Sequence, residues 1–428
     1  MEDATQSLRN VTCPFCGLAC DDLALKSNAV GLQVTNNGCA ISDAAFRELG
    51  TQDSSKASSR VAGKSATLPD AIAAAARILA TAKSPLIAGL GTDVAGARAA
   101  LQLADRIGAV VDHMNMSAKL RNILTVQNSG WITTTLAEIK NRADFVLVLG
   151  TSPLTRFPRL LQRAIFPTDT MFLGKDKRRN VFFLGEVETI PIEAAADITR
   201  LHCSHQSLSR LIPALRAILN GQRLDQGHFA DSDIHTLNGL ATAMQAASYG
   251  VVVWAAADFD FPHAELTIQT LAEMIKDLNK HIRFAGFPLG GSDGDFSSNG
   301  TQTWQTGLPL RSRYGKAGLD FDPHRNGIDE LLLAKAVDAL LWISSFNAAR
   351  VPPEVNIPHI VLGTGNMTLS REPDVFIAVG TPGIHHSGHF IRADKVVVMR
   401  LNKLIENELP SVATVAEAIL RELPVSRS

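Results

Sequence analysis

Short, continuous apolar segments alternate with Ala-rich helical segments along most of this chain, and this alternation constrains its fold most strongly. Residues 68–82 predict a helix, residues 86–90 a buried strand, and residues 94–107 a second helix. Strands covered on both faces of a parallel sheet have such continuous apolar runs. The same order recurs at residues 232–285. We therefore predict an α/β protein with a doubly wound parallel sheet.

The length of 428 residues suggests two or three domains, at roughly 100–200 residues per domain. We predict a small cysteine-containing unit at residues 1–56, followed by a linker over residues 52–67 that is rich in Ser, Lys and Ala. Residues 67–112 and 232–428 are expected to form one discontinuous doubly wound α/β domain. Residues 113–231, which have helix and strand signals of their own, are predicted to form an inserted α/β domain.

The charge balance limits the classes of partner. Lys and Arg number 41 and Asp and Glu 42, for a net charge of -1. A nucleic-acid or anionic membrane partner would favour a basic excess. The apolar runs fall short of the roughly 20 residues that span a bilayer, and the acidic start at residues 1–5 differs from a secretory signal. We expect a cytoplasmic protein without nucleic-acid or membrane partners.

Four of the five cysteines, Cys13, Cys16, Cys20 and Cys39, lie within the first 39 residues in the spacing C-x2-C-x3-C-x18-C. Such a cluster in a cytoplasmic chain favours a metal or redox site over a disulfide framework. Gly17 gives the loop conformational freedom. Four thiolates fit a [4Fe–4S] cluster or a tetrahedral zinc ion. A third alternative is that the thiols pack as small apolar groups without a metal.

Two later segments are weaker candidates. His385, His386 and His389 lie within five residues, which suggests either a metal site or a loop that lines a pocket. Residues 286–294 are Gly-rich and could hold a phosphate, but they lack both the Walker signature and the strand–GxGxxG–helix context. The sequence shows no nucleophilic triad.

The segment from Cys13 to Asp22, Cys-x-x-Cys-Gly-x-x-Cys-Asp-Asp, resembles the N-terminus of the B subunit of formylmethanofuran dehydrogenase. That family is part of the molybdopterin oxidoreductase superfamily. Further segments resemble the same family, and they lie at residues 108–112, 139–144, 149–153, 299–300, 304–309 and 383–394. The resemblance implies a molybdopterin-oxidoreductase-like fold.

One departure from the family bears on function. Where the dehydrogenases supply a tungsten or molybdenum ligand in a Cys-His-Gly motif, this chain has Ala118, Lys119 and Leu120. The neighbouring Ser117 could offer an oxygen, but the surrounding motif is absent. We therefore expect no tungstopterin or molybdopterin, and we predict no catalytic or cofactor-binding residue.

The same departure resembles the B subunit of the bacterial formyltransferase/hydrolase complex of methylotrophs. This resemblance implies a non-catalytic scaffold subunit in one-carbon metabolism, where formaldehyde is oxidised to formate through tetrahydromethanopterin and methanofuran. The implied partners are the hydrolase (A), formyltransferase (D) and C-type subunits, together with contact to a methanofuran-type carrier. Two alternatives remain: an active molybdenum or tungsten dehydrogenase subunit, and an iron–sulfur electron-transfer subunit.

Overall fold

A computed structural model describes residues 6–28, 31–50, 58–174, 178–187, 196–225, 229 and 231–424. The chain has a mixed α/β fold with parallel sheets. It divides into two compact units, Met1–Met116 with Gly291–Ser428 (unit 1) and Ser117–Gly290 (unit 2). No helix in these described ranges is long and apolar enough to cross a membrane.

The first part of unit 1 contains seven strands and three helices among its described residues. They are β1 (Gln6–Val11), β2 (Leu23–Asn28), β3 (Gly31–Asn36), α1 (Ala40–Gly50), β4 (Ser59–Val61), β5 (Lys64–Ala66), α2 (Leu68–Thr81), β6 (Pro85–Gly91), α3 (Val94–Ile107) and β7 (Val110–Val111).

Unit 2 alternates helices with the strands of a single sheet. Its elements are α4 (Met116–Ser129), α5 (Leu136–Arg142), β8 (Phe145–Leu149), α6 (Ser152–Thr155), β9 (Arg179–Leu184), β10 (Ala196–Leu201), α7 (Leu208–Leu219), α8 (Asp231–Ala246), β11 (Tyr249–Ala255), α9 (Ala264–Leu278) and β12 (Arg283–Leu289).

The chain then returns to unit 1 and adds the remaining elements. They are α10 (Asp295–Thr306), β13 (Ser312–Gly315), β14 (Gly318–Phe321), α11 (Ile328–Leu333), β15 (Ala339–Ser344), β16 (His359–Gly363), β17 (Val375–Ala378), β18 (Gly388–Ile391), β19 (Val398–Leu401) and α12 (Val412–Glu422).

The main sheet of unit 1 has the strand order β14-β13-β7-β6-β15-β16-β17-β4-β5. Its central strands from β7 to β17 are parallel, and Leu341 of β15 aligns with Ile87 on one side and Ile360 on the other. All residues of β6, β15 and β16 are buried, as expected for strands with helices on both faces. The antiparallel hairpins β13–β14 and β4–β5 cover the two edges.

Local sequence signals set the limits of the helices beside this sheet. Thr67 caps α2 by accepting a hydrogen bond from the Asp70 N–H, and Asp93 caps α3 in the same way from the Gly96 N–H. Such side-chain caps satisfy N–H groups that a helix start leaves without intrahelical partners. Gly108 ends α3 in the left-handed conformation, which glycine adopts without a Cβ penalty.

The sheet of unit 2 is parallel throughout, in the order β10-β9-β8-β11-β12. Its core includes Phe145, Trp254 and Phe284, with side chains from α7, α8 and α9. Arg179 is buried at the start of β9 and donates to the backbone carbonyls of residues 139, 140, 164 and 165. One guanidinium therefore satisfies four carbonyl groups at the ends of two helical segments.

The structure changes the predicted domain division. The strands β11 and β12 were expected in the same sheet as β6, but β11 pairs with β8 and residues 232–290 lie in unit 2. A repeated helix–strand–helix pattern predicts strands of a parallel sheet that is covered on both faces. The pattern does not predict which of two sheets a given strand joins. The division also places residues 1–56 in unit 1 rather than apart from it.

One local prediction also differs from the structure. The segment expected as a linker contains β4 and β5, where β4 pairs with both β17 and β5. Elsewhere, a π-helical turn at Leu161–Ile165 follows the short α6, and Lys335, just after α11, takes a left-handed conformation.

Candidate functional site

A closed loop between β1 and β2 carries the first three predicted metal ligands. Cys13, Cys16 and Cys20 are all buried. The Cys13 N–H donates to the Cys20 carbonyl at 2.8 Å, and the Ala19 N–H donates to the Cys16 carbonyl at 3.1 Å. Ala19 has a φ of 44°, which tightens the turn. The backbone therefore folds the loop back on itself and joins its two ends.

The fourth predicted ligand, Cys39, directly precedes α1 and is half-buried. The buried Ser42 hydroxyl accepts a hydrogen bond from the Cys39 N–H at 2.8 Å and donates to the Cys39 carbonyl at 3.0 Å. A Cβ atom on Gly38 would lie 2.3 Å from the Asp43 carboxylate and 2.7 Å from a methyl group of Val34. Only glycine fits this entry into α1.

The four cysteines share one electrostatic environment. Burial raises the pKa of Cys13 well above its ordinary value, and Cys16, Cys20 and Cys39 each raise it further as like charges. Four thiols are the donor set that a [4Fe–4S] cluster or a zinc ion takes, so the residue types fit either group. Among the described residues, however, no three His, Cys, Asp or Glu side chains are arranged to hold an ion. The metal therefore stays a prediction.

The position of the missing metal ligand lies on a helix. Ala118, Lys119 and Leu120 are in the first turns of α4 and are half-buried. The buried His113 precedes them, and its Nδ1 accepts the Asn115 N–H at 3.0 Å. The Nε2 atom therefore carries the proton and donates to the Asp293 carbonyl at 3.2 Å. His113 is fixed as a neutral structural ring in this arrangement.

The Gly-rich segment is not a phosphate loop of the Walker or Rossmann type. Its first residues form the end of β12, and Gly291, Asp293 and Gly294 then take left-handed conformations. A Cβ on Gly291 would lie 2.7 Å from the Cα of Gly17, and a Cβ on Gly294 would lie 2.3 Å from the Thr92 carbonyl. The glycines allow the backbone to pack against the cysteine loop and the end of β6.

Asp293 is held by a network of charged and polar groups. Its Oδ2 atom lies 3.3 Å from Arg350 Nε, forming an ion pair, and accepts a hydrogen bond from Asn115 Nδ2 at 3.3 Å. Arg350 also donates to the Asn115 side-chain oxygen and, through Nε, to the Met114 sulfur at 3.0 Å. This bracing fixes the carboxylate despite the unfavourable backbone of its residue, a combination typical of functional sites.

A cavity of about 210 Å³ lies beside this network, and it is called the α1 cavity below. Its lining comes from the cysteine loop, α1, the Gly-rich segment and the loop that follows β15: Phe15, Ile41, Ala44, Ala45, Glu48, Leu49, Asp293, Phe346, Asn347 and Ala348. Sequence reasoning missed this cavity, because α1 and the loop after β15 carry no motif. The available signal was the change from the apolar residues of β15 to the sequence Ser-Ser-Phe-Asn at residues 344–347.

The three histidines of the late loop have separate roles. His385 is buried and its Nδ1 accepts the Thr381 N–H at 2.9 Å. Burial and the neighbouring His386 lower the pKa of His385 to about 4, against a hydrogen bond to the Leu49 backbone. The ring of His386 bonds backbone carbonyls on both sides, and His389 is exposed on β18. None of the three histidines lines the α1 cavity, so the predicted pocket-lining role stays a prediction.

The late loop is also fastened to the cysteine loop. The Ala393 N–H donates to the Gly17 carbonyl at 2.6 Å. A small apolar cluster joins Ala19 of the cysteine loop to Phe346, Phe390 and Leu401. Two of the segments that resembled one family in sequence, residues 13–22 and 383–394, are thus in direct contact within unit 1.

The comparisons with known proteins define a class first. No model of a known protein family matches the chain. The chain is 25% identical over 410 residues to the B subunit of the tungsten-containing formylmethanofuran dehydrogenase 2 of Methanocaldococcus jannaschii, covering 93% of this chain and 94% of that protein. The chain is therefore similar over nearly its whole length to a B subunit of a formylmethanofuran dehydrogenase, which confirms the resemblance seen in its motifs.

A second set of similarities is more particular. The chain is 29% identical over 328 residues to the B subunit of the formyltransferase/hydrolase complex Fhc of Methylorubrum extorquens, covering 76% of this chain and 85% of that protein. One chain of the crystal structure of that complex, FhcABCD with methylofuran, superposes with a TM-score of 0.72 at 25% identity. The match covers 85% of this chain and 98% of that one. The chain is thus similar to the Fhc B subunit in sequence and to a chain of the Fhc complex in fold.

Proposed function

We propose that this chain is the non-catalytic B subunit of a cytoplasmic formyltransferase/hydrolase complex, where it holds the hydrolase (A), formyltransferase (D) and C-type subunits together. The homology to the Fhc B subunit supports this function. The observation that carries it is the sequence on α4, where Ala118, Lys119 and Leu120 stand in place of the Cys-His-Gly of the dehydrogenases. An alanine methyl group cannot ligate tungsten or molybdenum.

The proposal assigns the chemistry to the partners. The formyltransferase would transfer a formyl group from tetrahydromethanopterin to a methanofuran-type carrier. The hydrolase would add water to the formyl carbonyl and break the bond to the carrier nitrogen, releasing formate and the free amine of the carrier. The B chain would keep a molybdopterin-oxidoreductase-like fold as a scaffold in this one-carbon oxidation.

Within this proposal the cysteine quartet has a structural role. To hold a zinc ion or an iron–sulfur cluster, Cys13, Cys16, Cys20 and Cys39 would have to lie closer together than they do in the structure; a metal bound there would fasten the N-terminal loop to α1. A structural metal adds its binding free energy to the folded state. The burial of Cys13, Cys16 and Cys20 and the effect of the other three cysteines on the Cys13 pKa support the proposal. Metal and sulfide analysis of the purified chain decides between zinc, iron–sulfur and no metal.

Co-expression of the hydrolase, formyltransferase and C-type subunits with and without this chain tests the scaffold function. We expect a complete complex that releases formate when the chain is present, and incomplete assemblies with reduced formate release when it is absent. Sizing of the products and a formate assay measure both outcomes. Normal assembly and turnover without the chain would refute the scaffold function.

The alternative function is an active tungsten or molybdenum dehydrogenase subunit. The observation in its favour is that the match to a tungsten-containing homologue extends over 93% of the chain. Such a subunit would reduce a redox dye with a formylated carrier, whereas the scaffold would not. The same assay with and without added tungstate distinguishes the two functions.

A further inference from the structure

We propose that the outer edge of β19 is a docking site for an extended, acidic segment of a different protein chain, which adds a third strand to the β18–β19 sheet. This inference goes beyond the scaffold function and rests on that function only for the identity of the partner. It is based on the direction of the β19 backbone groups, on the exposed valines beside them and on the charge of the hairpin.

The backbone of β19 presents hydrogen-bonding groups on its outer side. The Arg392 N–H donates to the Val397 carbonyl at 3.0 Å, which begins the ladder between β18 and β19. Hydrogen-bonded and non-hydrogen-bonded pairs alternate along an antiparallel ladder, and in this register Val398 and Arg400 occupy non-hydrogen-bonded positions. Their N–H and C=O groups therefore point away from β18. Among the residues that the structure describes, no group bonds them, so β19 has an open edge.

The other sides of this hairpin are already covered. The Ile391 N–H points away from β19 and donates to the Ser297 hydroxyl of α10 at 3.0 Å. One face of the hairpin is buried, because Phe390 and Leu401 are inaccessible to solvent in the cluster with Phe346. A strand with one buried face has a fixed register. The open edge of β19 is therefore preformed in the folded chain.

Exposed valines lie along the open edge. The chain has the sequence Lys-Val-Val-Val-Met-Arg at residues 395–400, and Val396 is 66% and Val398 48% exposed. Residues that are β-branched favour extended strands, and an exposed apolar edge strand is a template for pairing with another chain. A third strand that covers these two side chains would also remove their apolar surface from water.

The charge of the hairpin selects the partner. Residues 388–401 contain the cations Arg392, Lys395 and Arg400 and a single acid, Asp394, for a net charge of +2. Asp394 is buried and pairs with Arg392 at 2.5 Å, whereas Lys395 and Arg400 are exposed. A second copy of β19 would bring two sets of cations together, and like charges destabilise cross-strand pairs. An acidic strand would instead meet opposite charges.

Hydrogen exchange tests the edge on the wild-type protein. The full chain is isolated from its native host through an affinity tag, with its bound partners and again after their removal. We expect the Val398 and Arg400 amides to exchange about tenfold more slowly in the complex. The Ile391 amide, which is already bonded to Ser297, should change little. A benzoylphenylalanine in place of Val396 should crosslink to an acidic segment of a different chain.

Paired variants distinguish strand addition from a contact of side chains alone. Val398→Pro removes an outward N–H but no bond to β18, since edge strands tolerate proline where the N–H faces solvent. Val398→Thr keeps both the N–H and the β-branched shape. We expect the first variant to weaken partner binding about tenfold and the second by less than about twofold. Arg400→Glu should weaken binding about tenfold, whereas Lys316→Glu, at an exposed residue between β13 and β14, should leave it unchanged.

Thermal unfolding curves verify that each variant is folded before binding is compared. The proposal is overturned if the Val398 and Arg400 amides exchange equally fast with and without partners. It is also overturned if the crosslinked segment is basic or belongs to a second copy of this chain, or if folded Val398→Pro binds as the wild type does. Hydrogen exchange uses no variant, so the test is decisive even when Val398→Pro fails to fold.

The same experiment separates this proposal from the scaffold function. Assembly with the hydrolase and formyltransferase subunits while the edge stays unprotected refutes the docking site alone. Protection of the edge by an acidic segment of some other protein supports the docking site and refutes the scaffold function. A chain isolated without any partner refutes both.

Discussion

Alanine at Gly294 is expected to be destabilising for two reasons, the left-handed backbone and the close contacts of the added Cβ atom, and alanine at Gly307 is destabilising for the first reason alone. Gly294 and Gly307 both have left-handed backbones, with φ values of 73° and 79°, and an alanine there costs about 1 kcal/mol. A Cβ at position 294 would lie 2.3 Å from the Thr92 carbonyl oxygen and 3.1 Å from the Phe346 ring, whereas nothing lies within 4 Å of a Cβ at position 307. Overpacking adds roughly 1–3 kcal/mol.

We therefore expect Gly307→Ala to lower the free energy of unfolding by about 1 kcal/mol, and Gly294→Ala to lower it by about 2–4 kcal/mol. Urea unfolding followed by tryptophan fluorescence measures both losses, since Trp304 lies on α10, the helix that begins directly after Gly294. Equal losses in the two variants would show that the close approach to Thr92 is not required, and would refute the packing described for this segment.

Three further predictions concern pH, stability and assembly. The pKa of His385 is about 4 in the folded state, against 6.5 ordinarily. Its contribution to the free energy of unfolding is therefore complete above pH 6.5 and is lost as the pH falls towards 4. Urea unfolding across this pH range should show that about 3 kcal/mol of the pH dependence disappears in His385→Gln. Arg179→Met should lower the free energy of unfolding by about 3 kcal/mol, because four backbone carbonyls lose their donor. Arg178→Met removes an ion pair with Asp197 that is more than half exposed, and it should lower the same quantity by under about 1 kcal/mol in the same assay. Trp304→Glu, at a side chain 62% exposed, should leave unfolding unchanged and weaken assembly with the partner subunits in sizing experiments; normal assembly would exclude this surface from the interface.

The strands and long helices were predictable because their signals are local. The helix at Val94–Ile107 has a capping Asp93 and a terminal Gly108, and it matches the prediction at both ends. The strand β6, Pro85–Gly91, is a continuous apolar run that extends one residue beyond the predicted limits of 86 and 90 at each end. The assignment of β11 and β12 to the same sheet as β6 was wrong, because a buried strand is a continuous apolar run in either sheet.

The candidate site was predictable only in part. The spacing of Cys13, Cys16 and Cys20 already indicated a closed loop, and the structure provides one. The α1 cavity could not be predicted, because Glu48 on α1 and Asp293 on the Gly-rich segment are brought to one cavity by tertiary packing rather than by a motif. The fixed tautomer of His113 likewise depends on a carbonyl 180 residues away in the chain.

The central claim is that this chain supports formyl transfer and hydrolysis without a tungsten or molybdenum centre of its own. Isolation of the native complex through an affinity tag on this chain, followed by metal analysis and a formate assay on the same sample, tests it most directly. We expect the hydrolase and formyltransferase subunits to co-purify and to release formate, with tungsten and molybdenum far below one ion per complex. One tungsten or molybdenum ion per complex together with dye reduction by a formylated carrier would contradict the claim.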